Sequence, residues 1–73
     1  MRYKDAIRTL KLFVPSNILF SLVFDYSRYE DGVGHESRQI YLGPPIDKTF
    51  FGEKMWQDAI EKALDRLREE GLI

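Results

Sequence analysis

The stretch EKMWQDAIEKALDRLREEGLI, residues 53–73, decides how the rest of this chain must be arranged. Trp56, Ala59, Ile60, Ala63, Leu64 and Leu67 recur at three- and four-residue intervals and so form one apolar stripe of a helix. Asp58, Glu61, Lys62, Asp65, Arg68 and Glu69 fall on the opposite side. The stop is also written there. Gly71 can adopt the left-handed conformation after the last turn, which places Leu72 against Leu67 as in a Schellman motif. Such a helix must bury its stripe against something, and the preceding residues have to supply it.

They supply a first helix and a sheet. Tyr3, Ala6, Ile7, Leu10, Phe13 and Val14 are spaced for a helix over residues 3–14, and Pro15 disfavours helical geometry at Val14, so the helix is predicted to finish near Phe13. At about three turns it would be marginal alone and needs a docking surface. Pro15-Ser16-Asn17 is turn chemistry, followed by Ile18 to Tyr26, which is rich in β-branched and aromatic residues. Ile18, Phe20, Leu22, Phe24 and Tyr26 share one face, and Leu19, Ser21, Val23 and Asp25 the other, a pattern that predicts a central strand with helices on one side. Ser27 to Glu36 reads as a long loop with glycines at positions 32 and 34. Ser37 to Leu42 alternates again, predicting an antiparallel return strand.

Gly43-Pro44-Pro45 must turn, because consecutive prolines cannot continue a ladder. Ile46 to Gly52 is either a short third strand or, with Thr49 as a cap, an early helical turn; the strand is preferred. The expected fold is a small two-layer α+β domain. Its antiparallel sheet has two or three strands packed by N- and C-terminal helices, in the order αβββα or αββα. Phe13, Phe20, Phe24 and Trp56 are expected to face the core.

The whole chain, residues 1–73, makes one domain, and a domain of this size buries only ~60% of the surface of its unfolded chain. It has no cysteine, so neither a disulfide nor a thiolate site exists, and ten aromatics must carry much of the core. The amino terminus, Met1-Arg2-Tyr3-Lys4-Asp5, lacks the apolar region and cleavage site of a signal peptide. The longest mostly apolar run, Ile18 to Phe24, is far short of the ~20 residues a membrane helix needs. A soluble, cytoplasmic protein is expected.

Net charge is −1, from eleven Lys and Arg against twelve Asp and Glu, which argues against a typical nucleic-acid binder. Charge is nonetheless uneven. Residues 1–13 hold Arg2, Lys4, Arg8 and Lys11 against Asp5 alone, whereas residues 53–73 hold six acids against four bases.

No catalytic constellation emerges. His35 stands beside Glu36, with Ser27 and Ser37 near it in sequence, but neighbours on an extended chain point apart and a triad needs groups converging on an oxyanion site. A single His without spaced partners does not make a metal site. Gly32 and Gly34 precede a strand instead of a helix amino terminus and lack Gly-Lys-Ser/Thr, so they are no phosphate loop. Asp58, Glu61 and Asp65 form an acidic strip that i,i+4 pairs such as Asp58 with Lys62 largely explain. No cofactor, metal or small-molecule substrate is expected.

The aromatics near the loop carry the functional expectation. Tyr, Phe, Trp and Arg are enriched in protein interfaces, and Arg28, Tyr29, Arg38, Tyr41, Phe50 and Phe51 cluster around the long loop and the second sheet face. They are the candidate partner-binding residues, for a protein partner or a second copy in a homodimer. The leading expectation is a small non-enzymatic binding protein that regulates or inhibits a larger partner by covering its surface, a role that fits a phage or mobile-element accessory protein.

The alternative is double-stranded nucleic-acid binding through Lys4, Arg8, Lys11, His35 and Lys54. The order αβββα is that of double-stranded-RNA-binding domains, and two local stretches are similar to that family: Gly32-Val33-Gly34-His35 before a strand and Ala59-Ile60-Glu61-Lys62-Ala63-Leu64 in the last helix. The final helix, however, opens Glu53-Lys54-Met55-Trp56-Gln57-Asp58, without the lysine cluster through which that family grips phosphates.

Overall fold

The computed structural model describes residues 1–73 and has the order α1 (Tyr3–Phe13), β1 (Phe20–Arg28), β2 (Gly34–Leu42), β3 (Lys48–Gly52) and α2 (Trp56–Glu69). The three strands form one antiparallel sheet in the order β1-β2-β3. The ambiguous segment before the last helix is therefore a strand, and the chain is an αβββα form of the α+β class.

Both helices end where local chemistry dictates. Val14 is extended (ψ 128°) just before Pro15 and closes α1 with its amide on the Leu10 carbonyl, 2.8 Å away. At the other end of α1 the Arg2 amide donates to Asp5 Oδ2, at 3.4 Å. α2 stops as a Schellman motif: the Leu72 amide donates to the Leu67 carbonyl (2.8 Å), the Gly71 amide donates to that of Arg68 (3.0 Å), and Gly71 has φ +71°. Leu72 then packs onto the core beside Leu67.

The core lies between the helices and one face of β2 and β3. Ala6 and Leu10 from α1, with Val14 just after it, meet Trp56, Ala59, Ile60, Ala63, Leu64 and Leu67 from α2, over Ile40, Leu42 and Phe50 from the sheet. The Tyr3 ring stands edge-on to Trp56 at 5.6 Å, which sets the first turn of α1 beside the first turn of α2. β3 approaches α2 very closely at Gly52, where a Cβ would come within 2.8 Å of both the Ala59 nitrogen and the Met55 oxygen. Only glycine fits there.

The strand with the most apolar pattern is not central. β1 is an edge strand, and β2, with its buried Ile40 and Leu42, occupies the middle. Ile18, expected within the strand, instead sits in a turn before it with its amide on the Pro15 carbonyl at 2.9 Å, and is buried. The expected loop of residues 27–36 contracts to a tight connection at residues 29–33, because the β1–β2 ladder continues through Ser27↔His35 and Arg28↔Gly34. Gly32 turns the chain with φ +77°, and the Asp31 carboxylate accepts the Val33 amide at 2.9 Å.

A difference in rise per residue explains what lies uncovered. Nine strand residues extend ~30 Å, whereas the fourteen residues of α2 extend ~21 Å. β3 pairs only with the Arg38–Leu42 half of β2, so the rest of the β1–β2 hairpin projects as a two-stranded arm from a molecule 43 Å long and 21 by 16 Å across. Phe24, expected in the core, lies on the helix-side face but beyond the helices and is 50% exposed. Phe13, also expected in the core, is exposed to the same degree at the end of α1. No helix is long and apolar enough to cross a membrane.

Candidate interaction surface

Antiparallel neighbours share a face, so the register sorts the arm's side chains. Phe20, Leu22, Phe24 and Tyr26 lie on the helix side with Arg38, Glu36 and Gly34. Val23, Asp25 and Ser27 lie on the open side with Gln39, Ser37 and His35, and Phe51 follows Gln39 on that same side. The helix-side face of the arm is therefore apolar at Tyr26, which is 52% exposed, and on the open side the apolar groups stand at the arm's base, where Phe51 of β3 is 52% exposed and Val23 50%.

Local contacts hold this surface in shape. The hydroxyl end of the Tyr26 ring lies over Gly34, so that a Cβ at residue 34 would overlap it, and the glycine thus makes room for the aromatic. Tyr29 sits at the arm's tip, 61% exposed, with its ring 4.6 Å from that of His35. At the arm's base, Arg38 donates to Glu36 Oε2 (3.0 Å) and to the Glu53 carbonyl (2.9 Å), with its guanidinium 5.0 Å from the centre of the Phe24 ring. It clamps the arm to the turn that follows β3.

Beside that clamp is a shallow depression lined by Tyr26, Gly34, His35, Glu36, Phe51 and Lys54, among others. It exists because β3 ends opposite Arg38, leaving residues 34–37 of β2 without a neighbour on that side. Glu36 and Glu53 line it together with Lys54 and the imidazole of His35, so acidic and basic groups share it.

The sequence-predicted partner residues separate into distinct environments. Arg28, Tyr29 and Phe51 are exposed and belong to the arm or its margin. Phe50 does not: it is 7% exposed and part of the core, because its parity in β3 matches Ile40 and faces α2. Arg38 is mostly covered and engaged within the fold as described. Tyr41 is half-buried and donates its hydroxyl to Asp47 Oδ1 at 2.5 Å. That hydrogen bond to a carboxylate, helped by partial burial and the Asp47 charge, raises the Tyr41 pKa above its ordinary value. Asp47 itself reaches the bond from a left-handed turn position, φ +49°.

The five basic candidates fall into two groups. His35 and Lys54 share the depression, whereas Lys4 and Arg8 lie with Arg2 and Asp5 around the start of α1, Arg8 being 4.0 Å from Asp5. Lys11 is exposed farther along α1. No polar or charged side chain is buried, and no cluster of three or more His, Cys, Asp or Glu gathers anywhere.

Val23, Phe24 and Val33 are the surface residues that sequence patterning missed. The available signal was length: a nine-residue strand outruns the helices that are to cover it. No protein-family model, curated protein or solved structure matches this chain.

Proposed function

We propose that this chain is a small non-enzymatic binding protein that regulates a larger protein partner by covering part of its surface, with the β1–β2 arm as the contact element. One observation carries the reading: the arm projects beyond the helix layer, and half-exposed aromatic and aliphatic side chains gather along it and at its base (Val23, Phe24, Tyr26, Tyr29, Val33 and Phe51), none of them part of the buried core. Apolar groups clustered in this way at a projecting element are what protein interfaces use, and Tyr and Phe are enriched there. The depression at the arm's base, with mixed charge and a short unpaired segment of β2, adds hydrogen-bonding groups at the rim of the same surface.

The test uses Tyr29→Ala combined with Phe51→Ala, two exposed positions whose truncation leaves the core untouched. Tagged wild-type protein should retain its partner from nuclease-treated host extract, and the double variant should lose it while keeping the wild-type circular dichroism spectrum. Retention by the folded double variant would remove the arm as the contact element. Retention that disappears with nuclease would reassign the function to nucleic-acid binding.

A further inference from the structure

The two edges of the sheet differ. At the β3 edge the strand has five residues, Lys48 stands at its start, and Lys62 from α2 places its Nζ 2.9 Å from the Phe51 carbonyl. A short edge with lysines on it is protected against pairing with another strand. The β1 edge is nine residues long, has no proline, runs in unbroken register against β2, and carries only Asp25 and Arg28 as charges.

The direction of its free backbone groups follows from one bond. The Gly43 amide donates to the Leu19 carbonyl at 2.7 Å, one step beyond the Phe20↔Leu42 pair. Bonded and non-bonded pairs alternate along an antiparallel ladder. Ser21, Val23, Asp25 and Ser27 therefore turn their N–H and C=O groups to β2, and Phe20, Leu22, Phe24, Tyr26 and Arg28 turn theirs to the open edge.

We propose that β1 pairs with β1 of a second copy, antiparallel and with Phe24 on the two-fold axis, to form a continuous six-stranded sheet. This inference stands apart from the partner-binding reading, because it concerns the purified chain alone. The strand is complementary to itself in this register. Phe24 meets Phe24 of the second copy, Leu22 meets Tyr26, and Phe20 meets Arg28, all as hydrogen-bonded pairs on the helix side; Val23 meets Asp25 and Ser21 meets Ser27 between them. The full strand overlaps and no like charges oppose each other. Sliding each copy by one residue one way sets Asp25 against Asp25, sliding it the other way centres Val23 and leaves Ser27 and Arg28 beyond the paired strand, and either slide shortens the overlap. Each half-exposed Phe24 and Tyr26 leaves ~100 Å² uncovered, and the two-fold axis brings all four rings into one apolar strip between the helix layers.

Sedimentation equilibrium of the purified protein over a concentration series should give twice the 8.6 kDa chain mass. Phe24→Pro deletes a donor that faces the open edge and breaks no bond to β2, so it should retain the sheet signal by circular dichroism and sediment as a monomer. In this cysteine-free chain, Phe24→Cys should cross-link under mild oxidation, because bonded pairs bring Cα atoms to about 5.5 Å. Ser27→Cys should not, since residue 27 faces residue 21 of the other copy. A monomeric wild type, a mass above the dimer, or a dimer that survives Phe24→Pro would overturn the proposal. If Phe24→Pro fails to fold, the cysteine pair decides: no cross-link at 24, or an equal one at 27, rejects it.

Discussion

Two glycines show how differently the same substitution acts in this fold. At Gly52 an added Cβ meets backbone, the Ala59 nitrogen and Met55 oxygen at 2.8 Å, and neither atom can move without shifting the first turn of α2 against β3. Gly34→Ala meets only the Tyr26 side chain, which can swing into solvent. Gly52→Ala should therefore cost about 1–3 kcal/mol, the usual range for overpacking, and Gly34→Ala clearly less. In a domain this small, each lost kcal/mol lowers Tm by about 4–8 °C, so urea and thermal unfolding of the two variants will separate them. Neither role could be read in the sequence, because a glycine's neighbours across a sheet or at a helix are set by tertiary placement. Phe50 and Phe51 make the same point. Both looked available to a partner, and only the register, which places residue 50 opposite Ile40 and residue 51 opposite Gln39, separates the core residue from the surface one.

At the scale of elements, the helices were legible because their signals are local: the stripe spacing, Pro15 after α1 and Gly71 after α2. The two strands between them were legible for the same reason, whereas residues 46–52 read as a third strand or an early helical turn until their pairing with β2 made them β3. The position of β1 in the sheet was not. A strand reading Phe20, Leu22, Phe24, Tyr26 on one face has the pattern of a covered strand whether or not anything covers it, and coverage depends on how far the helices reach. That reach divides β1 into a packed half and a projecting half, which should differ in dynamics. Amides of Ser21 and Val23, bonded to β2 where β3 and α2 support it, are expected to exchange slowly. Those of Asp25 and Ser27 make equivalent bonds in the unsupported arm and should exchange faster, through opening of the arm without global unfolding. Residue-resolved hydrogen exchange at a dilution that keeps the chain monomeric measures this. Equal protection along β1 would show that the hairpin opens only as a unit with the core.

For the molecule as a whole, charge weighs against a nucleic-acid partner. Binding to a phosphate backbone depends on cations acting together along one surface, each neutralised phosphate steepening the salt dependence by ~0.9 in log–log slope on duplex DNA. Here the net charge is −1. The basic residues at the start of α1 lie around Asp5, and His35 and Lys54 share their depression with Glu36 and Glu53. The family with the same αβββα order supplies a lysine cluster at the start of its last helix; this chain has only Lys54 there, between Glu53 and Met55. Fluorescence anisotropy with labelled duplex RNA and DNA should thus show no saturable binding at physiological salt, and the Lys4→Glu, Arg8→Glu variant should give the same trace as wild type. Saturable binding with a steep salt slope that this variant abolishes would transfer the function to the basic face of α1 and leave the arm's aromatics without a role in it.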